Sequence, residues 1–576
     1  MPKTAAGSAA SGGAVGGQAP PGSGGSGSGG SGAGRPGSNG SGAGRPGSDG
    51  PGSDGSGSAA DPAGAASSDG TAEAPAPDAA AALSRRPMAL LRRNWLAAVL
   101  LTAGVALRVL VQVSFGPALL YIDTVKYLYN AWPGADPLGY DAPLKALLAI
   151  GNLGLVEAVQ HLLGLGMAVA IYLVLVRRGV PRWLSALAMG PVLLDAYQLQ
   201  TEATIMPDIW FEAIIVAGVA VLLWKPRLTW RFCLAGGLIL GLGATVRQVG
   251  EIMIIPVVLF VLLAAGGWRK ALTKSVAVIV AFAVPIVAYM AGSQALTGHF
   301  WLSRNGYQAT YGRMAGLADC ATLKLPSDER ALCPTSHEQA LGPDWLDHGP
   351  TSPLRQYPTP PGMDRSVVIG SFNKAVATQQ PLRVAGRIAS DAAKLFAVTR
   401  VTSPGDTPIS RWQFHTTYPT FAPTIAVNGQ GTIIFALKLA VSGGPTVYRK
   451  LDAAYGGNSH VWVPGAAFLR RYMLYGGYTP GPLLLLSLIA GLAGALTVLR
   501  RRASAAQRGL ALGALLFTIG GAAVLLMSDI FEFSWRYQIP ALVTLPPAGA
   551  LGIAAIIRYA RRRKITRSAA AAQREQ

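Results

Sequence analysis

The sequence predicts an all-α polytopic membrane protein of about ten transmembrane helices, interrupted once by a large polar domain. Three observations predict it. Hydrophobic residues make up 51% of the 576 and charged residues only 13%, with a positive mean hydropathy, a balance too apolar for a soluble chain of this length. Apolar runs long enough to cross hydrocarbon recur along the chain. The Lys and Arg residues behind a net charge of +21 gather at the ends of those runs, not in a stripe interleaved with aromatics. That placement sets topology and speaks against nucleic acid as a partner.

Residues 1–82 are Gly, Ser, Ala, Pro and Asp, with SGAGRPGS at 31–38 and again at 41–48. Such a segment buries too little to offset its backbone entropy and is expected to be a disordered cytoplasmic tail. No apolar h-region follows its start, so it does not read as a signal peptide.

The segment 83–292 is expected to hold seven spans. Arg85, Arg86, Arg92 and Arg93 precede the first, which runs from Trp95 to about 114; the others lie near 156–176, 183–199, 204–224, 231–247, 249–266 and 273–292. A polar region, 293–480, comes next. Three C-terminal spans occupy 481–557, near 481–499, 509–527 and 537–557, and a basic tail fills 558–576. With the N-terminus in the cytoplasm, alternation puts every basic cluster on that side: Arg177, Arg178 and Arg182; Lys225, Arg227 and Arg231; Arg269, Lys270 and Lys274; Arg500, Arg501, Arg502 and Arg508; and Arg558 to Lys564. The opposite short loops hold only Lys126, Lys145, Arg247 and Arg536. Both termini are therefore expected inside a plasma membrane, and 293–480 outside.

That outer region is expected to be a mixed extracytoplasmic domain. It carries Cys320 and Cys333, and outside a cell a disulfide between them survives, contributing on the order of 3 kcal/mol. The third cysteine, Cys233, sits in an apolar run, and three cysteines without a CxxC make no zinc site. One amphipathic helix is expected at 371–398. The apolar stretch 432–441 is too short to span and is expected along the membrane surface.

Unusual polar residues collect at the outer face. Asp123 lies in the first outer loop, in LLYIDTVKYLY at 119–129, with Lys126 beside it. Asp141 lies near that loop's end. Glu202 and Asp208 flank the second loop, QTEATIMPD. Arg247 and Glu251 sit at the third, and Asp529, Glu532 and Arg536 in the last, SDIFEFSWRYQIP. Arg108 lies within the first span. Charges at membrane depth are costly unless paired or facing a cavity, so a convergent set from separate spans points to a polar cavity. Taken singly, Arg108 either pairs with an acid on a neighbouring helix or binds a ligand. Arg247 and Arg536 either snorkel to headgroups or line the cavity. Asp529 and Glu532 read as solvated loop residues, Asp141 and Glu251 as structural ones. Acids and arginines together suit a carboxylate base acting on a hydroxyl and guanidinium groups holding a phosphate. No GxxxxGK[ST] loop occurs, so a nucleotide is not expected.

The order of these pieces resembles the GT-C type membrane glycosyltransferases that use polyprenyl-phosphate sugars, the class of protein O-mannosyltransferases and the bacterial aminoarabinose transferase. LRVLVQ followed by YIDTVKYL, then GYDAPLKALL, TEATIMPDIWFEAII, GLGATVRQVGEIMIIP and FEFSWRYQIPALVTLPP carry it. Thr124 follows the acid where mannosyltransferases have Glu, and Asp141-Ala142-Pro143-Leu144 replaces a His-Pro-Pro-Leu-like element. The Gly-, Ala- and Arg-rich composition looks actinobacterial. The resemblance implies Asp123 as catalytic acid, with Glu202 and Asp208 shaping the site. It implies Arg247 and Arg536 as lipid-phosphate ligands, to which Lys126 and Arg108 add. The donor is a polyprenyl-phosphate sugar and the acceptor a glycan, lipid or protein; no cofactor is expected, one acid with arginines favouring the metal-free type. The alternatives are a transporter or flippase for a lipid-linked or anionic substrate, and an envelope scaffold.

Overall fold

A computed structural model describes residues 92–129, 137–303, 306–438, 446–499 and 503–575. The tail expected to be disordered, its repeats, Arg85, Arg86 and the 500–502 arginines lie outside the described residues.

Each apolar run folds as helix, but not each as one spanning helix. Six helical segments are long and apolar enough to cross a membrane: Trp95–Ser114, Leu153–Arg178, Trp268–Thr297, Gly481–Leu499, Ala505–Asp529 and Trp535–Arg563. The protein is thus a helical membrane protein. The other runs form shorter helices. In chain order, α1 is Trp95–Ser114, α2 Thr124–Tyr129, α3 Asp141–Ile150, α4 Leu153–Arg178, α5 Arg182–Leu194, α6 Ala196–Ala203, α7 Asp208–Leu223, α8 Trp230–Val246, α9 Ile254–Ala264 and α10 Trp268–Thr297.

The run at 183–199 is not continuous. It contains Pro191 and breaks at Asp195, which is extended and whose side chain accepts from Tyr197 N, starting α6. The run at 204–224 likewise becomes helical only at Asp208. α4 begins with Asn152 capping Leu155 N and stops at Gly179, whose φ of +88° is left-handed.

In the polar region, α11 is Gly306–Leu317, α12 Arg365–Gln379 and α13 Pro381–Lys394. The single helix expected at 371–398 is therefore two. Gln380 leaves the helical region because Pro381 follows it, and Pro381 opens α13 at a position needing no N–H. Of the stretch expected along the membrane surface, 439–441 lie outside the described residues and 433–438 is strand. β2 (Ile425–Val427), β3 (Ile433–Lys438) and β4 (Thr446–Lys450) form an antiparallel sheet, and Ile433 and Phe435 alternate inward. Phe435 meets the Tyr129 ring edge-on at 5.5 Å. The described part of 293–480 thus mixes helices with short strands. Cys320 and Cys333 are joined in a disulfide, and Cys233 is buried. After the sheet come α14 (Val463–Leu474), α15 (Gly481–Leu496), α16 (Ala505–Phe531) and α17 (Pro540–Glu575).

Small residues let helices close on one another. A Cβ at Gly241 on α8 would meet the Phe282 carbonyl of α10, and one at Gly552 on α17 would meet the Ala490 carbonyl of α15. The basic clusters share one end of the bundle. Arg178 donates to the carbonyls of Leu223 (2.6 Å) and Lys225 (3.0 Å), Lys274 to that of Leu228 (2.7 Å), and Arg508 to that of Leu263 (3.1 Å).

Candidate functional site

At the opposite helix ends, two extended segments place the acids. After α1, β1 (Phe115–Gly116) pairs with β5 (His460–Val461), and the chain then runs beside 203–205. Leu119 N donates to the Ala203 carbonyl and Ile205 N to the Leu119 carbonyl, each at 3.0 Å. Thr124 locks the turn: its hydroxyl accepts from Tyr121 N at 2.9 Å and donates to the Ile205 carbonyl at 3.0 Å. Asp123 is thereby carried towards Asp208, the first residue of α7, where the helix N-terminus favours a carboxylate. Arg247 is the extended residue that ends α8, and Arg536 lies in the 3-10 turn Trp535–Gln538 between α16 and α17.

Arg536 joins the two acids. Its Nη1 donates to Asp123 Oδ2 at 3.0 Å, while Nε and Nη2 donate to Asp208 at 2.9–3.1 Å, a bidentate fork. Arg247 holds the other side of Asp208 and lies 4.9 Å from the Tyr537 ring centroid. Lys126 lies 3.5 Å from Asp123 Oδ1. Three cations therefore face two carboxylates, leaving one formal positive charge. Asp208 and Arg536 are buried, while the Asp123 side chain stays 31% exposed and Arg247 17%. The ends of the chain are thus the reachable ones. Tyr121, Trp412 and Tyr537 ring the Arg536 guanidinium at 5.3–5.8 Å.

Burial raises the Asp123 pKa, but Lys126 and Arg536 outweigh it and hold the carboxyl well below the usual carboxylate range. It is an acceptor at any physiological pH. Burial, with Asp123 adding to it, pushes the Tyr121 hydroxyl up to about 12. Glu532 is pushed up to about 7 by burial and by Asp344, and Asp141 up to about 6 by burial against the opposing pull of Lys145.

A small cavity of about 10 Å³ lies beside the chain of ions between α7, α16 and α17. Asp208, Glu212, Arg247 and Tyr537 give it a polar end, and Phe211, Val249, Val524 and Pro540 an apolar wall. Among the described residues no group of three or more His, Cys, Asp and Glu is placed to hold a metal ion.

The structure does not bring Arg108 and Glu202 to this cluster. Arg108 donates to Glu202 Oε1 at 2.6 Å and to the carbonyls of Gly104, Val192 and Leu193, the last two freed where α5 ends. Glu202 also takes His161 Nδ1 at 2.9 Å, and His161 Nε2 lies 3.6 Å from Glu157. Both members of the Arg108–Glu202 pair are sealed, at 3% and 0% exposed, so the neighbouring acid, not a lipid phosphate, is the partner of Arg108. Glu202 is likewise committed to the interior. Asp529 is no solvated loop residue: it is fully buried at the end of α16 and accepts from Gln538 at 2.9 Å. The sequence reading passed over Glu157, Gln160, His161 and Glu212. Their signal was present: polar residues three and four apart inside an apolar run mark a buried polar stripe.

No protein-family model matches the chain, and no curated protein matches it. Among solved structures it is similar to an archaeal oligosaccharyltransferase, AglB from Archaeoglobus fulgidus, in complex with an inhibitory peptide and a dolichol-phosphate. Identity is 12%, with 83% of this chain and 52% of that one covered and a TM-score of 0.36. The Archaeoglobus fulgidus oligosaccharyltransferase tethered to an acceptor peptide gives 13%, 81%, 50% and 0.35. The chain spans about half the length of these structures.

Proposed function

We propose that the protein is a membrane glycosyltransferase that moves a sugar from a polyprenyl-phosphate donor to an extracytoplasmic acceptor hydroxyl, with inversion. The observation that carries it is the chain Asp123–Arg536–Asp208–Arg247. It ends in a reachable, ionised carboxylate at one side and a guanidinium in a half-apolar pocket at the other. In this reading the Asp123 carboxylate takes the acceptor's hydroxyl proton. The oxygen so freed bonds to the anomeric carbon from the face opposite the phosphate. The bond from that carbon to the phosphate oxygen breaks, and its electron pair leaves with the lipid phosphate. Arg247 stabilises that leaving phosphate, with Lys126 and the net positive charge of the cluster adding to it. Asp208 orients both arginines.

Helix polarity supports an extracytoplasmic site. Arg247 ends α8 and Asp208 begins α7, whereas the basic residues lie at the other ends of the same helices, at Arg231 and Lys225. Positive charge marks the cytoplasm, which supports the reading that the cluster opens outside. The full set of ten spans is part of the same proposal. A second reading, a proton-coupled transporter, draws on the buried Arg108–Glu202–His161–Glu157 network, since such networks relay protons in pumps. Purified protein incubated with labelled polyprenyl-phosphate mannose, arabinose and glucose separates the two. Release of lipid phosphate in the absence of any gradient supports transfer; donor movement across vesicles without bond cleavage supports transport.

A further inference from the structure

One helix of the polar region is apolar on both sides. On α14, Ala466, Leu469 and Met473 recur at three- and four-residue spacing and are fully buried. The opposite side carries Val463, Phe468 and Leu474, with Trp462 just before the helix and Tyr475 just after it. All of these are exposed, Phe468 at 54% and Tyr475 at 83%. Arg471 sits among them and is exposed too. A helix facing water on that side would carry polar residues there; a helix apolar all round belongs inside a protein or against a membrane.

Both ends of α14 are tied to the ends of bundle helices. Trp462 N donates at 3.0 Å to the carbonyl of Ser114, the last residue of α1, and a Cβ at Gly465 would meet the Ser114 hydroxyl. At the other end, the Tyr472 hydroxyl donates at 2.6 Å to the carbonyl of Leu194, where α5 stops, and α15 begins soon after, at Gly481. A helix of 12 residues is about 18 Å long. Tethered at both ends, it lies across the end of the bundle and does not stand away from it.

That level is the surface of a bilayer. The α1 helix and the segment that starts with α15 are both long and apolar enough to cross a membrane, and Ser114 is the end of α1 away from its basic residues. The exposed apolar series resumes at once on α15, at Leu483 and Leu486, so the open side of α14 continues along the chain into surface that faces acyl chains. Aromatic rings at both helix ends and one arginine on an apolar face suit the boundary between headgroups and acyl chains. There Trp and Tyr straddle the interface and an Arg reaches out to phosphate.

We propose that α14 lies in the bilayer interface, in the leaflet at the acid–arginine end of the bundle, with Val463, Phe468 and Leu474 among the acyl chains and Arg471 at the headgroups. Its partner is the lipid surface itself, and the proposal is independent of the transfer reading. The buried side of α14 fastens the chain that carries Trp412 over Arg536: Arg470 Nη1 donates to the Phe414 carbonyl at 3.2 Å, and Phe414 N to Met473 Sδ at 3.4 Å.

The test uses the full chain in nanodiscs of phosphatidylcholine and phosphatidylglycerol. Cys233→Ala removes the free thiol. Bimane is then attached at Phe468→Cys, at Leu474→Cys and, for comparison, at Lys374→Cys on α12. Two quenchers are compared, a phospholipid carrying doxyl near its headgroup and aqueous iodide. The labels at 468 and 474 should lose fluorescence to the doxyl lipid and be spared by iodide, and the label at 374 should do the reverse. If either α14 variant fails to fold, Tyr475→Cys reads the same side. Iodide quenching at 468 and 474 as strong as at 374 overturns the proposal, because the face is then in water. Protection from both quenchers overturns it as well, because a second copy or another protein then covers the face.

Discussion

Arg536 has three donors committed to two acids, and that sets what single substitutions do. Asp123 is the reachable end of the chain, so Asp123→Asn leaves Arg536 still forked to Asp208 and the fold intact. Arg108 and Glu202 behave differently. Each is sealed against the other, so Arg108→Leu or Glu202→Gln strands a buried charge and should cost about 3–5 kcal/mol of stability, with the donor KM of the surviving fold unmoved. A raised KM without lost stability, read from melting and kinetics together, would return Arg108 to a ligand role. Glu532 provides a pH signature outside the spans. Its carboxyl titrates near 7 in the fold against an ordinary 4.5, so the folded state holds the extra proton. The stability this group contributes is full below pH 4.5 and is lost as pH rises through about 7; Glu532→Gln should flatten that part of the pH dependence of melting. The residues were unevenly legible. Asp123, Asp208, Arg247 and Arg536 stood out because each is a charge at the end of an apolar run. Sequence distance cannot tell which charges meet, so Arg108 and Glu202 were grouped with them.

Helices packed through glycine have little room to give. Gly552 of α17 lies against the Ala490 carbonyl and the Gly491 Cα of α15. Gly552→Leu must push the two helices apart and should cost about 1–3 kcal/mol by overpacking, seen as a lower melting temperature in detergent with the donor site's kinetics retained. The long helices were legible because apolar length is a strong signal. Their interruptions were not, since each is decided by one residue. Asp195 splits one run because its carboxylate caps α6 and pairs with Arg400 at 2.9 Å, a partner far along the chain. Pro381 splits another. The strand at Ile433 was read as a surface segment because six residues of mixed burial carry no helical or spanning signal, and what fixes them is pairing with β2 and β4.

The whole molecule separates its charge along the bundle, basic clusters at one end and the acid–arginine chain at the other. Single cysteines test the orientation: one at Lys374, exposed on α12, should react with an impermeant thiol reagent on intact cells, and one at Lys270 only after permeabilisation. The reverse pattern would turn the site inward. The surroundings of Tyr121 were not legible, because they are brought together only by the fold. Phe414 and Phe421 reach Tyr121 from about 300 positions away along the chain. The central claim is that the Asp123 carboxylate works as the base at one end of a chain of ions whose other end, Arg247, holds the phosphate. Its most direct test measures donor binding and lipid-phosphate release on wild type and Asp123→Asn with one labelled polyprenyl-phosphate sugar. The account predicts equal binding with release slowed about a hundred- to ten-thousandfold in the variant. Release at the wild-type rate from Asp123→Asn would contradict it.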